Sequence, residues 1–504
     1  MRMLPLILAA FAITAPALAQ EAPTQTLRIA VADDPDMLDP SLARTYTGRI
    51  VFAGLCDKLF DINEKLEIVP QLATSYEWAD SKTLLIRLRP GVKFQDGTAM
   101  DAASVKYSLE RHLNQPGSTR RGEIGSMDHA EVVDPLTVRV VLKTPSAPFV
   151  SQLTDRAGMV VSPRAAEAAG KEFGSNPVCA GPFKFTERVA QDRIVLDRFA
   201  EYWNAKNIHF ARVVYRPIVD NSVRLTNLQA GAIDIGERIS ATDVGPARQD
   251  ARLNVFVYPA LGYQSINFNV GNGARANGPL GRSALVRKAF ELSIDRGVLM
   301  QVVYGGLFTP IAQAIVPANP FYNADVKPTA RDVAKAKELL KQAGVALPVV
   351  VNLTVTTNPD QRQTGEIIQS MASEAGFDVR VQATEFGSAL AAQTRGDYEA
   401  SAIGWSGRVD PDGNMYNGLH SKGALNETHY ANPDVDAWLD AARATTDFAA
   451  RKALYAKITA KVHEDLPVMY LDNNALIVVT TKKVSGLLQV PDGLVRVQGL
   501  KLAN

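Results

Sequence analysis

The sequence predicts an α/β fold of two lobes joined by two crossovers, with a small α+β subdomain inserted in the first lobe. Three observations predict it. At 504 residues the chain exceeds the size at which one core keeps growing, so two or more domains are the default. Residues 349–382 read strand, helix, strand, a βαβ unit that implies a parallel pair with a right-handed crossover. A late strand at Leu466–Leu471 precedes short strands at 475–480 and 493–497, which returns the chain to the first lobe. The expected division is 1–19 signal peptide, 20–262 first lobe with its insertion at about 70–178, 263–473 second lobe, and 474–504 completing the first.

The elements follow in order. Leu27-Arg28-Ile29-Ala30-Val31-Ala32 is a strand, and Asp34-Pro35-Asp36-Met37-Leu38-Asp39-Pro40 is a loop of turn formers. Ile50–Phe60 is apolar enough for a helix packed on that strand. From Pro70 to Lys143 the texture changes to short alternating strands, at 83–89 and 136–142. Between them Asp101 caps a helix whose Ala102, Val105, Leu109 and Leu113 share one face. Gly181–Phe185 and Asp192–Phe199 read as strand, turn, strand; Tyr215–Pro217 is a strand, and Ser222–Ala230 is a helix stopped by Gly231. The alternating strand around Leu261–Asn269 marks the first crossover. In the second lobe, helices carry Val286, Ala289 and Phe290, then Val333 to Ala343, then Ile367 to Ala375. The strand Tyr398–Gly404 leads into a turn-rich segment, and helices at 435–444 and 451–464 precede the returning strand. Two lobes on two crossovers form a hinge that lets a cleft close.

Composition narrows the function. With 54 basic against 53 acidic residues the formal net charge is +1, and no basic run interleaves with aromatics, which argues against nucleic acid. Met1-Arg2-Met3, the apolar Leu4–Ala15, Pro16 and Ala17-Leu18-Ala19 make a secretory signal peptide cleaved after Ala19. The two cysteines, Cys56 and Cys179, then meet an oxidising compartment. Either they form one disulfide, worth about 4 to 5 kcal/mol for so long a loop, or they are two buried small hydrophobes. Nucleophile-elbow, zincin, Walker and dinucleotide motifs are missing. Asp410, Asp412 and Asn414 match the first places of a calcium loop, but Met415 and Ser421 stand where its Gly and Glu belong. Most of the six scattered histidines read as surface or capping residues, and no cofactor is implied.

The segment Ser401–Tyr416 holds the candidate binding chemistry. Gly404 breaks an apolar run and delivers Trp405, Arg408, Asp410 and Asp412 into turn-rich chain at a strand end, where ligand sites of open α/β sheets gather. An indole offers apolar area with a polar tip, a guanidinium a fork for a carboxylate, and the carboxylates partners for an amine. An ordinary surface loop with solvated charges is the other reading.

Further runs carry a resemblance: Leu38-Asp39-Pro40, Pro70-Gln71-Leu72-Ala73-Thr74-Ser75-Tyr76-Glu77-Trp78, Leu88 to Gly97, Ser104–Arg111, Gly181-Pro182-Phe183, Ala289–Arg296 and the Trp405 segment. With them the chain resembles the extracytoplasmic solute-binding proteins that serve peptide and nickel ABC importers, over nearly all of its mature length. The resemblance implies a two-lobed periplasmic binding protein of type II, cluster C, monomeric and non-catalytic. It captures a small ligand, a short peptide or peptide-like molecule, and hands it to a membrane permease driven by a separate ATPase. The competing readings are an opine-like or anionic ligand, and a metal or haem for which His420 and His429 would face the cleft. Relatives hold the peptide's α-ammonium with an Asp just after this Trp; here Arg408 stands nearest that place and cannot pair with an ammonium. Arg408 is then expected to pair with Asp410 or Asp412, freeing a carboxylate for the ligand. By the same resemblance Arg44, Tyr46, Asn426 and Tyr470 join Trp405, Arg408 and Asp410 as ligand-binding candidates.

Overall fold

The computed structural model describes residues 24–503, so the expected signal peptide lies outside the described residues. Two large sheets carry the fold. The first has seven strands in the spatial order Leu253–Pro259, Ala475–Thr481, Ile235–Gly236, Thr26–Val31, Arg212–Pro217, Arg193–Arg198, Phe183–Val189. Thr26–Val31 pairs in parallel on both sides, and Leu27, Ile29, Ala30 and Val31 are buried, as the apolar run of a central parallel strand requires. The late strand Ala475–Thr481 inserts antiparallel beside Leu253–Pro259, so the chain's end completes the first sheet.

The second sheet has six strands, ordered Thr309–Pro310, Val468–Asn473, Tyr263–Phe268, Ala400–Trp405, Val349–Thr356, Phe377–Thr384. Along Val349–Thr356 the buried positions are Val349, Val351, Leu353 and Val355, the period-two pattern of a half-covered strand. It runs parallel to Phe377–Thr384, and the helix Pro359–Ser373 packs between them as the crossover. Gly376 ends that connection at φ 100°, which a side chain would strain.

A third, four-stranded antiparallel sheet, Ala73–Asp80, Thr83–Leu88, Thr137–Leu142, Met127–Asp134, forms the inserted subdomain. The helix Ala102–Asn114 covers it, started by Asp101, whose carboxylate accepts from Ser104 N at 2.9 Å. Val105, Leu109, Ile86 and Val138 build its own core. Cys56 and Cys179 are joined as a disulfide with Cα atoms 4.9 Å apart, fastening the end of the first lobe's leading helix to the chain that leaves the subdomain.

The chain passes between the large sheets twice, after Pro259 and after Asn473, and the two connections hold each other. Asn473 Nδ2 donates to Ala260 O at 2.9 Å and Gly262 O at 2.8 Å, and Ala260 N donates to Asn474 O at 3.1 Å. Paired crossovers of this kind form a hinge.

Three elements differ from expectation. The first helix is Tyr46–Leu55 instead of Ile50–Phe60, because Thr45 Oγ1 accepts from Gly48 N and starts it earlier. Asp412–Leu419, expected to be turns, is a helix. Residues 493–497, expected to be a strand, are irregular; Arg496 pins them by ion pairs to Asp61 at 2.7 Å and Asp492 at 2.9 Å.

Candidate functional site: the cleft between the lobes

Three strands from the two sheets end at the same gap. Thr26–Val31 leads to Ala32 and Asp33, Val349–Thr356 to Asn358 and Asp360, and Ala400–Trp405 to Ser406. These residues line a cavity of about 290 Å³, at the carboxyl ends of strands where open α/β sheets gather ligands.

Of the residues expected to bind, Arg44, Tyr46, Trp405 and Tyr470 line this cavity. Tyr46 donates its hydroxyl to Gly493 O at 2.8 Å, which aims the ring. Trp405 donates Nε1 to Asn414 Oδ1 at 3.1 Å, and Tyr470 stands edge-on to Tyr263 with ring centres 5.0 Å apart. Arg44 reaches across the gap, bonding Glu427 Oε1 at 2.6 Å and Thr394 Oγ1 at 2.9 Å.

Arg408, Asp410 and Asn426 do not line it. Arg408 is buried and pairs with neither Asp410 nor Asp412: its Nε meets Asp155 of the first lobe at 2.5 Å. Asp410 is gripped by both terminal nitrogens of Arg451 at 2.7 Å, and Asp412 pairs with Arg443 at 2.6 Å. Each Asp therefore has a cation of its own. Asn426 staples a turn, donating to His420 O and Tyr430 O while accepting from Tyr430 N. Neither His420 nor His429 lines the cavity, and among the described residues no cluster of His, Cys, Asp and Glu could hold a metal ion.

Sequence reasoning missed Asp33, Arg238, Asp360, Gln361, Glu427 and Asp492, which also line the cavity. Asp33 and Asp360 follow strand ends, so the rule that located Trp405 could have found them. Glu427 and Asp492 sit in irregular chain and had no such signal. Burial and the neighbouring carboxylates raise the Tyr46 hydroxyl well above its usual range, which keeps it a neutral donor.

The cleft is closed. Besides the Arg44 bridge, Arg49 Nη1 of the first lobe donates to Ser406 Oγ at 3.0 Å, Gln152 Nε2 to Asp412 Oδ2 at 2.9 Å, and Asn221 Nδ2 to Asp360 Oδ2 at 2.7 Å. Arg443 Nη2 of the second lobe donates to Gly122 O at 2.6 Å.

A cavity between two hinged lobes that polar contacts hold together defines a two-lobed binding protein that takes up a small solute. Residues 67–426 match the family described as bacterial extracellular solute-binding proteins, family 5 Middle, and the chain belongs to that family. The glutathione-binding protein GsiB of Pectobacterium atrosepticum is 30% identical over 479 residues, covering 92% of this chain and 92% of its own. Among solved structures, DppA from Helicobacter pylori in complex with the peptide STSA is 25% identical with a TM-score of 0.87, over 96% of this chain and 99% of that one. AgaA of A. tumefaciens R10 in complex with agropinic acid is 26% identical with a TM-score of 0.86, over 95% and 99%. The relatives are binding proteins, and no helix among the described residues is long and apolar enough to cross a membrane.

Proposed function

We propose that this chain is the periplasmic receptor of an ABC importer and reversibly captures a short peptide or peptide-like solute of about glutathione's size. The observation that carries the reading is the closed cavity of about 290 Å³, built from both lobes and seated on the hinge strands. Its volume sits near the low end for small-ligand sites and suits two or three residues better than a long peptide. The glutathione-binding relative and the peptide complex support the same size class. On this reading residues 20–262 with 474–504 and residues 263–473 swing as the two halves. Export through residues 1–19 places the monomer outside the inner membrane. The closed form docks on the permease, whose separate ATPase drives release, and the ligand leaves chemically unchanged.

Titration calorimetry of the mature chain against glutathione, di- and tripeptides tests this. Binding with recovery of intact ligand is expected, and a saturating ligand at about 100 times its Kd stabilises the fold by about 2.7 kcal/mol in thermal shift. Failure of every peptide at millimolar concentration, with agropinic acid binding instead, would turn the reading to a non-peptide acid of the kind found in the AgaA complex.

A further inference from the structure

We propose that Asp360 is the counter-ion for an ammonium group of the captured ligand, which makes the cavity selective for solutes carrying a free amine. The inference rests on the peptide reading above and adds the residue that selects the ligand's charge.

Four carboxylates line the cavity, Asp33, Asp360, Glu427 and Asp492, against the two guanidiniums of Arg44 and Arg238. Three of the four already face a cation. Asp33 meets Arg238 at 2.9 Å, Glu427 meets Arg44 at 2.6 Å, and Asp492 meets Arg496 at 2.9 Å. Asp360 alone among them has no ion pair within the described residues. Its side chain accepts only from neutral donors, Asn221 Nδ2 at 2.7 Å and Ser240 Oγ at 3.1 Å.

The charges nearest to it do not fill the gap. Arg224 spends its terminal nitrogens on the carbonyls of Ile218, Val219 and Arg238 and on Asn221 Oδ1. Burial pushes the Asp360 carboxyl up and Asp243 adds to it, against the Ser240 and Asn221 hydrogen bonds and the nearby Arg224 charge, which lower it without cancelling the rise. Neutral donors and the helix start hold the Asp360 carboxylate without an ion pair, and a ligand ammonium would add a charge-assisted hydrogen bond to it as it binds. Asn221 and Ser240 come from the first lobe and Asp360 from the second, so the seat is completed only on closure.

Calorimetry with glutathione and the dipeptide Met-Leu, each compared with its N-acetylated form, tests the assignment. The wild-type protein is expected to prefer the free amine by about 10- to 100-fold, the strength of a charge-assisted hydrogen bond. Asp360→Asn should bind both forms alike, and Asp360→Glu should keep most of the preference. Because Asp360 also ties the lobes, the readout is the ratio between the two ligand forms within one protein; a closure defect moves both together. If Asp360→Asn is too weak to bind either form, the wild-type ratio and the Glu variant still decide. A wild type that binds both forms equally, or an Asn variant that still discriminates, overturns the role of Asp360 and leaves the peptide reading standing. A wild type that binds none of the four probes sinks the peptide reading, and this role with it.

Discussion

Asp472 stands one residue short of the second crossover's start, 1% exposed, and neither of its carboxylate oxygens meets a donor. Burial pushes its carboxyl up to about 8 from an ordinary 3.8. The folded state therefore holds a proton that the unfolded chain gives up between pH 3.8 and 8, and stability falls as pH rises through that window. Asp472→Asn removes the titration. Its stability gain over the wild type should be larger at pH 8 than at pH 4 by a few kcal/mol, read from urea midpoints at the two pH values; an equal gain at both refutes the buried acid. Little of this was legible in the sequence, since a lone Asp after an apolar run looks like a strand-ending surface charge. His112 makes the same point: among six scattered histidines of which most are expected at the surface, nothing marks it as the one buried between Ser41 Oγ at 2.8 Å and Met159 O at 2.9 Å. At the cleft, Trp405 could be placed by its strand end and Arg44, Tyr46 and Tyr470 only through the family resemblance, whereas the partner of Arg408 could not be placed, because Asp155 lies about 250 residues away in sequence and meets it only in the fold.

Elements whose own residues repeat with a clear period were readable. Val349–Thr356 and its crossover helix carry their burial pattern in the sequence, and so does the helix begun by Asp101. The helix Asp412–Leu419 was hidden by Pro411, Gly413 and Gly418, ordinary turn formers; it stands because Asp412 is held by Arg443 and Asn414 ties back to Arg408 and Trp405. Tyr46–Leu55 begins before its apolar run because Thr45 caps it, and Thr47, Gly48 and Arg49 behind that cap are buried although no apolar period marks them. This helix ends at Cys56, whose bridge to Cys179 spans a sequence separation of 123 residues. Closing so long a loop stabilises chiefly by restricting the unfolded chain. The double variant Cys56→Ala, Cys179→Ala should lose about 3 to 5 kcal/mol of unfolding free energy while keeping its ligand affinity, since neither cysteine lines the cavity. Chemical denaturation with and without ligand checks both halves; loss below 1 kcal/mol would assign the loop's order to packing instead.

For the molecule as a whole the question is what favours closure, and the charges behind Trp405 set the answer. Arg49, Arg120 and Arg156 of the first lobe share a buried region with Asp155 and Glu123, three cations against two anions, and closure brings in Arg408 as a fourth cation. That approach is favourable only because Asp155 receives it: the Arg408 and Arg49 guanidiniums hold the Asp155 carboxyl well below its usual range despite burial, and Arg408 itself is pushed down to about 10 chiefly by desolvation. Opening the cleft would separate Arg408 from Asp155, so that ion pair belongs to the closed state alone. Neutralising Asp155 therefore penalises the closed state more than the open one. Asp155→Asn is expected to enlarge the radius of gyration of the ligand-free protein in small-angle scattering. It should also weaken every ligand by about 10-fold or more, because only the closed fraction encloses the solute. Free-amine and N-acetylated ligands should lose affinity equally, unlike the response to Asp360→Asn. An Asp155→Asn protein that stays as compact as the wild type and binds as tightly would place the closing force elsewhere, at the Arg44 to Glu427 bridge or in the apolar contact behind the hinge.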